Sequence, residues 1–444
     1  GGTVTVDGVE KTVEINEDVP ATFDDGSTTK TVDGVGTYTV AADGTVTFVP
    51  DPSFTGTAPA VTVVREDMNG SKASATYTPT VNPVTLTPTN KVSEDIQNVP
   101  QTETPTFALS DDETAQITSK KLIDPATGQP TDETTVTVAG EGTYTIDPTT
   151  GAVTFTPEKD FVGTATGVKV QATATITNAD GKTSTITSDA SYTPTVVAAV
   201  PTANPATSKD IQGATQTGTP TFAGKTVQVN GEDKAITIKD NSYTLLDNDG
   251  NEVTSTPAYA AAGTTEIGTY SIDPATGQVT FTPTDKSYTG KVTPVKVQAE
   301  SSNGIKVDTT YTPEIVPVTP TATPAETTDI QGATQTGKPV FTEGDSRVPM
   351  NNDVPATFDD GSTTKTVDGV GTYTVAADGT VTFVPEKSFV GTAPAVTVVR
   401  EDVNGTKASA TYTPTVTSVT PTATPAESTG PQGVVQTGTV TFTE

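Results

Sequence analysis

Apolar residues along this chain alternate with threonine. In Thr372-Tyr373-Thr374-Val375 and in Thr380-Val381-Thr382-Phe383, every second position is apolar. That is the period of a β-strand with one buried face. Ala377-Asp378-Gly379 separates the two runs, and glycine is free to take the positive φ that a tight reversal needs. The pattern predicts a hairpin in which Tyr373, Val375, Val381 and Phe383 share one core layer. No stretch sustains a 3.6-residue period, so helix content should be very low.

The same hairpin phrase occurs four times, around Tyr38, Tyr144, Tyr270 and Tyr373, at steps of 106, 126 and 103 residues. A period of that size is a whole domain, which makes the chain a tandem array. At the second and third occurrences the turn becomes Asp147-Pro148-Thr149-Thr150-Gly151 and Asp273-Pro274-Ala275-Thr276-Gly277. These read as proline-led type I turns in a loop one residue longer. Ahead of each hairpin stands an opening phrase: Asp95-Ile96-Gln97, Asp210-Ile211-Gln212, Asp329-Ile330-Gln331, then Gln432. Each repeat closes on Tyr77-Thr78-Pro79, Tyr192-Thr193-Pro194, Tyr311-Thr312-Pro313 or Tyr412-Thr413-Pro414. Asn69-Gly70, Asp180-Gly181, Asn303-Gly304 and Asn404-Gly405 precede the closing phrases and signal two-residue hairpin turns.

Proline-spaced stretches such as residues 317–324 follow the closing phrases and predict extended, semi-rigid linkers. The domains expected from these landmarks are 1–83, 84–199, 200–317 and 318–419, with 420–444 as the opening segment of a fifth repeat. About seven strands are expected in the fourth repeat, the number of a small sandwich. The fold class expected is all-β: tandem Ig-like β-sandwich domains arranged as an elongated rod. At about 3.3 Å per residue, strands of 6–10 residues give domains of roughly 35–45 Å, and four reach on the order of 150 Å.

Residues 18–50 repeat as 353–385 letter for letter. The first repeat has no opening phrase, and residues 420–444 supply one with nothing after it. Two readings stand: a cut through a longer array, or head-to-tail association in which the spare segment of one molecule completes the first domain of another.

Composition narrows the function. Hydrophobic residues are 32 % of the chain, low for a globular protein, but their alternation lets a thin sandwich core form. The net charge of −30 makes nucleic acid and anionic membrane poor partners, since phosphate recognition needs clustered Lys and Arg. It favours solubility and repulsion between neighbours. There is no 18-residue apolar run, and the first residues carry neither a basic nor an apolar leader segment. With no cysteine and no histidine, disulfides, Ser-His-Asp and Cys-His catalysis and ordinary zinc sites are excluded.

The phrases in residues 210–222 and 142–165 resemble the CshA-type fibril repeat of streptococcal surface adhesins, and the resemblance extends over essentially the whole chain. It implies an extracellular, cell-wall-anchored fibril whose repeats carry a separate host-binding region outward, with that region outside these residues. It supplies no catalytic residues. The first opening phrase departs from the pattern at Asn98-Val99-Pro100 and the last at Gly430-Pro431.

Remaining candidates for chemistry each have a plainer reading. Asp24-Asp25, Asp359-Asp360 and Asp111-Asp112-Glu113 could in principle pair as glycosidase carboxylates, but the first two pairs precede glycine as turn residues do. Asp247-Asn248-Asp249-Gly250-Asn251 faintly resembles a calcium loop without the EF-hand spacing and reads as a turn. Lys72, Lys306 and Lys407 lie five residues before the closing tyrosine, and Lys182 ten before. An intramolecular Lys–Asn bond would need such a lysine buried. Thr-X-Thr runs, as at Thr3-Val4-Thr5 and Thr173-Ala174-Thr175, read as solvent-facing strand threonines. No catalytic, cofactor-binding or metal residue is expected, and no enzyme. The expected function is a stalk that projects an adhesive region, with neighbouring copies of the same fibril as the conceivable partner. The alternative is that repeat surfaces themselves bind host glycoprotein or adjacent fibrils.

Overall fold

The structure, a computed structural model, describes residues 2–444, and every regular element among them is a strand. Two compact units emerge. The first takes the chain up to Pro201 together with 224–237 and 301–305. The second takes 202–223, 238–300 and 306–444.

Within the first unit, residues 86–197 show the complete repeat plan. One sheet runs in the order Lys91–Ile96, Thr183–Val197, Val168–Thr177, Ala115–Asp124. The other runs Gln101–Glu103, Val153–Pro157, Gly142–Ile146, Thr135–Val138. All ladders are antiparallel except that of the opening strand Lys91–Ile96, which pairs parallel with the closing strand over Tyr192 to Val197. The alternation places Tyr144, Ile146, Val153 and Phe155 on the inner face of one sheet. Leu122, Val170 and Tyr192 lie on the inner face of the other, and all are buried in one cluster. This is a β-sandwich. In the second unit, residues 202–223, 238–300 and 306–316 and residues 321–417 repeat the two sheet orders, with Ala206–Ile211 and Ala325–Ile330 again parallel to their closing strands.

The predicted hairpin core layer is present. Tyr373 faces Phe383 and Val375 faces Val381 across the ladder, and the two rings lie 4.8 Å apart. The glycine that opens each phrase is dictated by this packing. A Cβ on Gly371, at φ +156, would lie 2.4 Å from the Val384 carbonyl and 2.8 Å from the Phe383 ring. Gly36 and Gly142 are in the same position.

Three expectations need correction. Residues 321–417 hold eleven strands rather than about seven, because the opening segment breaks into short strands that serve different sheets. The proline-spaced stretches are not free linkers. Thr321–Thr323 pairs with Val340–Thr342, and Ala325–Ile330 enters the main sheet. Proline also sits inside the closing strand. There the strand changes antiparallel partner, from Val168 opposite Tyr192 to Thr164 opposite Thr195. At this step no ladder N–H is required. Only the carbonyl of Pro194 is used, and it accepts from Ala165 N at 2.9 Å.

Finally, the Asn-Gly sites are three-residue loops. Ser301 N bonds Ile305 O, Gly304 N bonds Ser301 O, and among these loop residues only the glycine has positive φ. The residue two before each Asn or Asp decides this. Asp67, Asn178 and Asp402 each accept, through Oδ1, from the backbone N–H two and four residues on. That stabilises a type I turn closed by glycine over a two-residue type I′ turn. Genuine two-residue turns occur at Asp7-Gly8 and Asn230-Gly231, where both residues have positive φ.

Candidate functional site: clamps and junctions of the repeats

Each complete repeat is locked by a buried polar clamp around its closing tyrosine. Tyr192, Tyr311 and Tyr412 lie in the core with their hydroxyls 2.6, 2.5 and 2.5 Å from those of Ser93, Ser208 and Thr327 on the opening strand. Those hydroxyls donate to the side-chain oxygens of Gln101, Gln216 and Gln335. The glutamine amides in turn donate to the backbone carbonyls of Thr195, Glu314 and Thr415. Every polar atom of the clamp is thereby paired, which is what burial demands. Losing one member leaves a buried group unpaired, at a cost of about 1–3 kcal/mol. Burial pushes the phenols of Tyr192, Tyr311 and Tyr412 above their ordinary pKa, and the hydroxyl partner pulls each partly back.

The glutamine of the opening phrase forms a second staple. Gln97 donates to Lys159 O and accepts from Ala199 N, Gln212 does the same with Ser287 and Val318, and Gln331 with Lys387 and Val419. This brings three backbone segments to one end of the repeat.

On that end sits the next element. In the first unit the Asn303 side chain is buried and donates to the carbonyls of Gln97 and Ala199, at 3.0 and 2.9 Å. Asn98 Nδ2 returns a bond to Asn303 O at 2.8 Å. Beside it the hairpin Lys225–Val229/Glu232–Ile236 covers Ile96 and Ala199 with Val229 and Ile236. Lys234 pairs with Asp95 at 2.5 Å. In the second unit the arrangement recurs. Asn404 is buried and donates to Gln212 O at 2.8 Å, and Arg347 pairs with Asp210 at 3.1 Å. Gly213 is required there, since a Cβ would lie 2.2 Å from the Asn404 side chain. Where the sequence departs from glycine, Asn98 takes the same left-handed conformation, φ +65 against +84 at Gly213, which asparagine tolerates. The Asn98-Val99-Pro100 variation therefore keeps the turn. A different contact serves within residues 2–201: Asn178 and Ser184 donate to Pro50 O and Pro52 O at 3.0 and 2.7 Å.

The acidic candidates serve turns and surface pairs. Asp24 and Asp359 bind Lys30 and Lys365 at 2.8 and 2.9 Å, and Lys30 holds the exposed Asp24 carboxyl below its usual range. Asp25 Oδ1 accepts from both the N–H and hydroxyl of Ser27. Asp111 caps Glu113 N. Asp247 Oδ1 accepts from the N–H groups of residues 249 and 251 in its own turn. Lys72, Lys182, Lys306 and Lys407 are exposed, with Lys306 on Glu252 at 2.7 Å. The sequence marks the closing tyrosines and Gln97, Gln212 and Gln331 as landmarks but not the clamp, whose Tyr hydroxyl and Gln amide bonds join residues 80–103 positions apart. The recurrence of Asn before Gly is the one signal that could have pointed to the junctions.

These features define a class: tandem β-sandwich repeats, three of them closed by an opening strand paired parallel with the closing strand and two of them presenting a built surface that receives a buried asparagine. The pattern of the surface adhesin CshA repetitive domain matches residues 1–81, 83–196, 198–315 and 317–416, and the chain belongs to that family. No curated protein sequence matches it. Among solved structures it is similar to mouse cadherin-23 EC22-24 (12 % identity, 76 % of this chain and 100 % of that chain, TM-score 0.27). It is also similar to protocadherin gammaB7 EC3-6 (11 %, 94 % and 95 %, 0.30) and to the I9-I11 tandem of titin (10 %, 76 % and 100 %, 0.27).

Proposed function

We propose that this chain is a structural stalk segment of a bacterial surface fibril, anchored at the cell wall and projecting an adhesive region carried outside these residues. It acts without catalysis, through autonomous cores divided near residues 83, 199, 317 and 419. The observation that supports this most is that one junction design is built twice, with Asn303 on Gln97 and Ala199, and Asn404 on Gln212. A buried amide donating to a neighbour's backbone carbonyl fixes direction as well as contact. A chain selected for spacing needs that property, and a chain of loose beads does not. The surface of net charge −30 suits a fibril that must not aggregate with its neighbours. Small-angle X-ray scattering of the chain tests the reading. An elongated profile with a maximum dimension on the order of 150 Å, from four domains of strand-limited length, is expected. A compact profile would overturn it.

A further inference from the structure

Both junction asparagines, Asn303 and Asn404, are followed by glycine, and that dipeptide carries a chemistry of its own. The glycine nitrogen, with no side chain beside it to hinder approach, attacks the asparagine Cγ. The N–Cγ bond forms, the Cγ–Nδ2 bond breaks, and Nδ2 leaves as ammonia with the proton from the glycine N–H. Water then opens the five-membered imide at either carbonyl, giving aspartate or its β-linked isomer. No enzyme or cofactor takes part. The reaction needs a free glycine N–H, a side chain free to rotate, and access for water.

The junctions deny all three. Gly304 N donates to Ser301 O at 2.8 Å and Gly405 N to Asp402 O at 2.9 Å. That bond belongs to the loop itself, since Gly181 N makes it to Asn178 O as well. Docking adds the grip on the amide: Asn303 Nδ2 is held by the carbonyls of Gln97 and Ala199, and Asn404 Nδ2 by that of Gln212. Docking also excludes water, leaving the two asparagines 8 % and 6 % exposed.

The product does not fit the closed junction. An amide that donated becomes a carboxylate facing the same backbone carbonyls, acceptor against acceptor, and a buried charge without a partner is strongly unfavourable. At the second junction one such group is already present. Asp402 is fully buried, its Oδ1 accepts from Asn404 N and Thr406 N, and its Oδ2 has no partner. A second carboxylate two residues on would meet it as a like charge in the same dry space. The β-linked isomer adds a further mismatch, because it lengthens the backbone of a three-residue loop by one methylene.

We propose that Asn303 and Asn404 are modification sites gated by docking. While a junction is closed its amide is preserved. Once it opens, the Asn-Gly pair deamidates and the junction does not close again, so each lasting opening is recorded covalently at the repeat where it occurred. An elongated scattering profile would still be found if these sites proved inert, so the modification and the stalk reading are tested separately.

The test is peptide mass spectrometry of the whole chain after weeks in mildly alkaline buffer, with and without concentrated urea. In buffer both sites should deamidate at least about tenfold more slowly than in urea, the factor that a closed state favoured by about 1.4 kcal/mol provides. Two variants open the second junction in different ways. Arg347→Ala removes an exposed side chain paired with Asp210, and Gly213→Ala presses a Cβ into the Asn404 side chain. Each should speed deamidation at Asn404 in buffer severalfold while Asn303 keeps its rate, with circular dichroism separating an opened junction from an unfolded repeat. Asn404→Asp, which carries the product from the start, should be cleaved by trypsin after Arg347 faster than the unchanged chain. Equal rates in buffer and urea overturn the proposal. So does an Asn404 rate that neither variant alters, or an Asn404→Asp chain as resistant to trypsin as the original.

Discussion

At the scale of single residues, one residue type does opposite things depending on what lies beside it. Asn404 and Asn69 stand at the same place in near-identical sequence, yet the first is buried on the Gln212 carbonyl and the second is exposed. We expect Asn404→Ala to lower stability by about 1–3 kcal/mol, because the Gln212 carbonyl would be left buried and unpaired. Asn69→Ala in dilute protein should stay within about 0.5 kcal/mol, as an exposed substitution does. Thermal unfolding of the two variants measures the difference, and equal effects would remove Asn404 from its junction role. The sequence identified Asn404 correctly as a turn residue. Its second function depends on a carbonyl 192 positions away, which no local pattern encodes.

Elements show how local chemistry and packing divide the work. The hairpin phrase was legible in full, since a two-residue period, a turn glycine and cross-strand aromatic pairs are all short-range features. Its initial glycine is fixed by two constraints at once: a left-handed φ and a carbonyl too close for a Cβ. Gly371→Ala should therefore cost at least about 2 kcal/mol, whereas the same exchange where alanine fits stabilises by about 0.4–1 kcal/mol. Urea unfolding followed by circular dichroism gives the value. A loss under half of that would mean the strand pair relaxes freely. The closing proline stands inside a strand for a related reason. Proline does end ladders when an N–H is needed, and here a change of partner removes the need.

For the whole molecule, buried tyrosines set the alkaline limit of stability. Burial, aided by the nearby Tyr412, pushes the Tyr373 phenol from 10.0 up to about 12, and Tyr270, Tyr311 and Tyr192 shift in the same direction. A raised folded-state pKa favours the protonated form. Its contribution is complete below pH 10 and is lost as pH rises toward about 12. Tyrosinate absorbance and circular dichroism should then change together in that window. Ionisation of all tyrosines near pH 10 with the fold intact would contradict the burial described.

By itself the sequence determined the repeat period, the alternating strands, the turn glycines and the membership of a surface-adhesin repeat family. These are readable because each is a property of a few neighbouring residues or of the chain compared with itself. Tertiary structure alone decided that the proline-spaced stretches are strands, that Gln and Tyr form a buried clamp, and that some asparagines become plugs. Each of those outcomes depends on partners outside the local window, from about 20 residues away for Thr321–Thr323 to 80–103 for the clamp and 192 for Asn404, and a parallel strand pairing leaves no mark in local alternation.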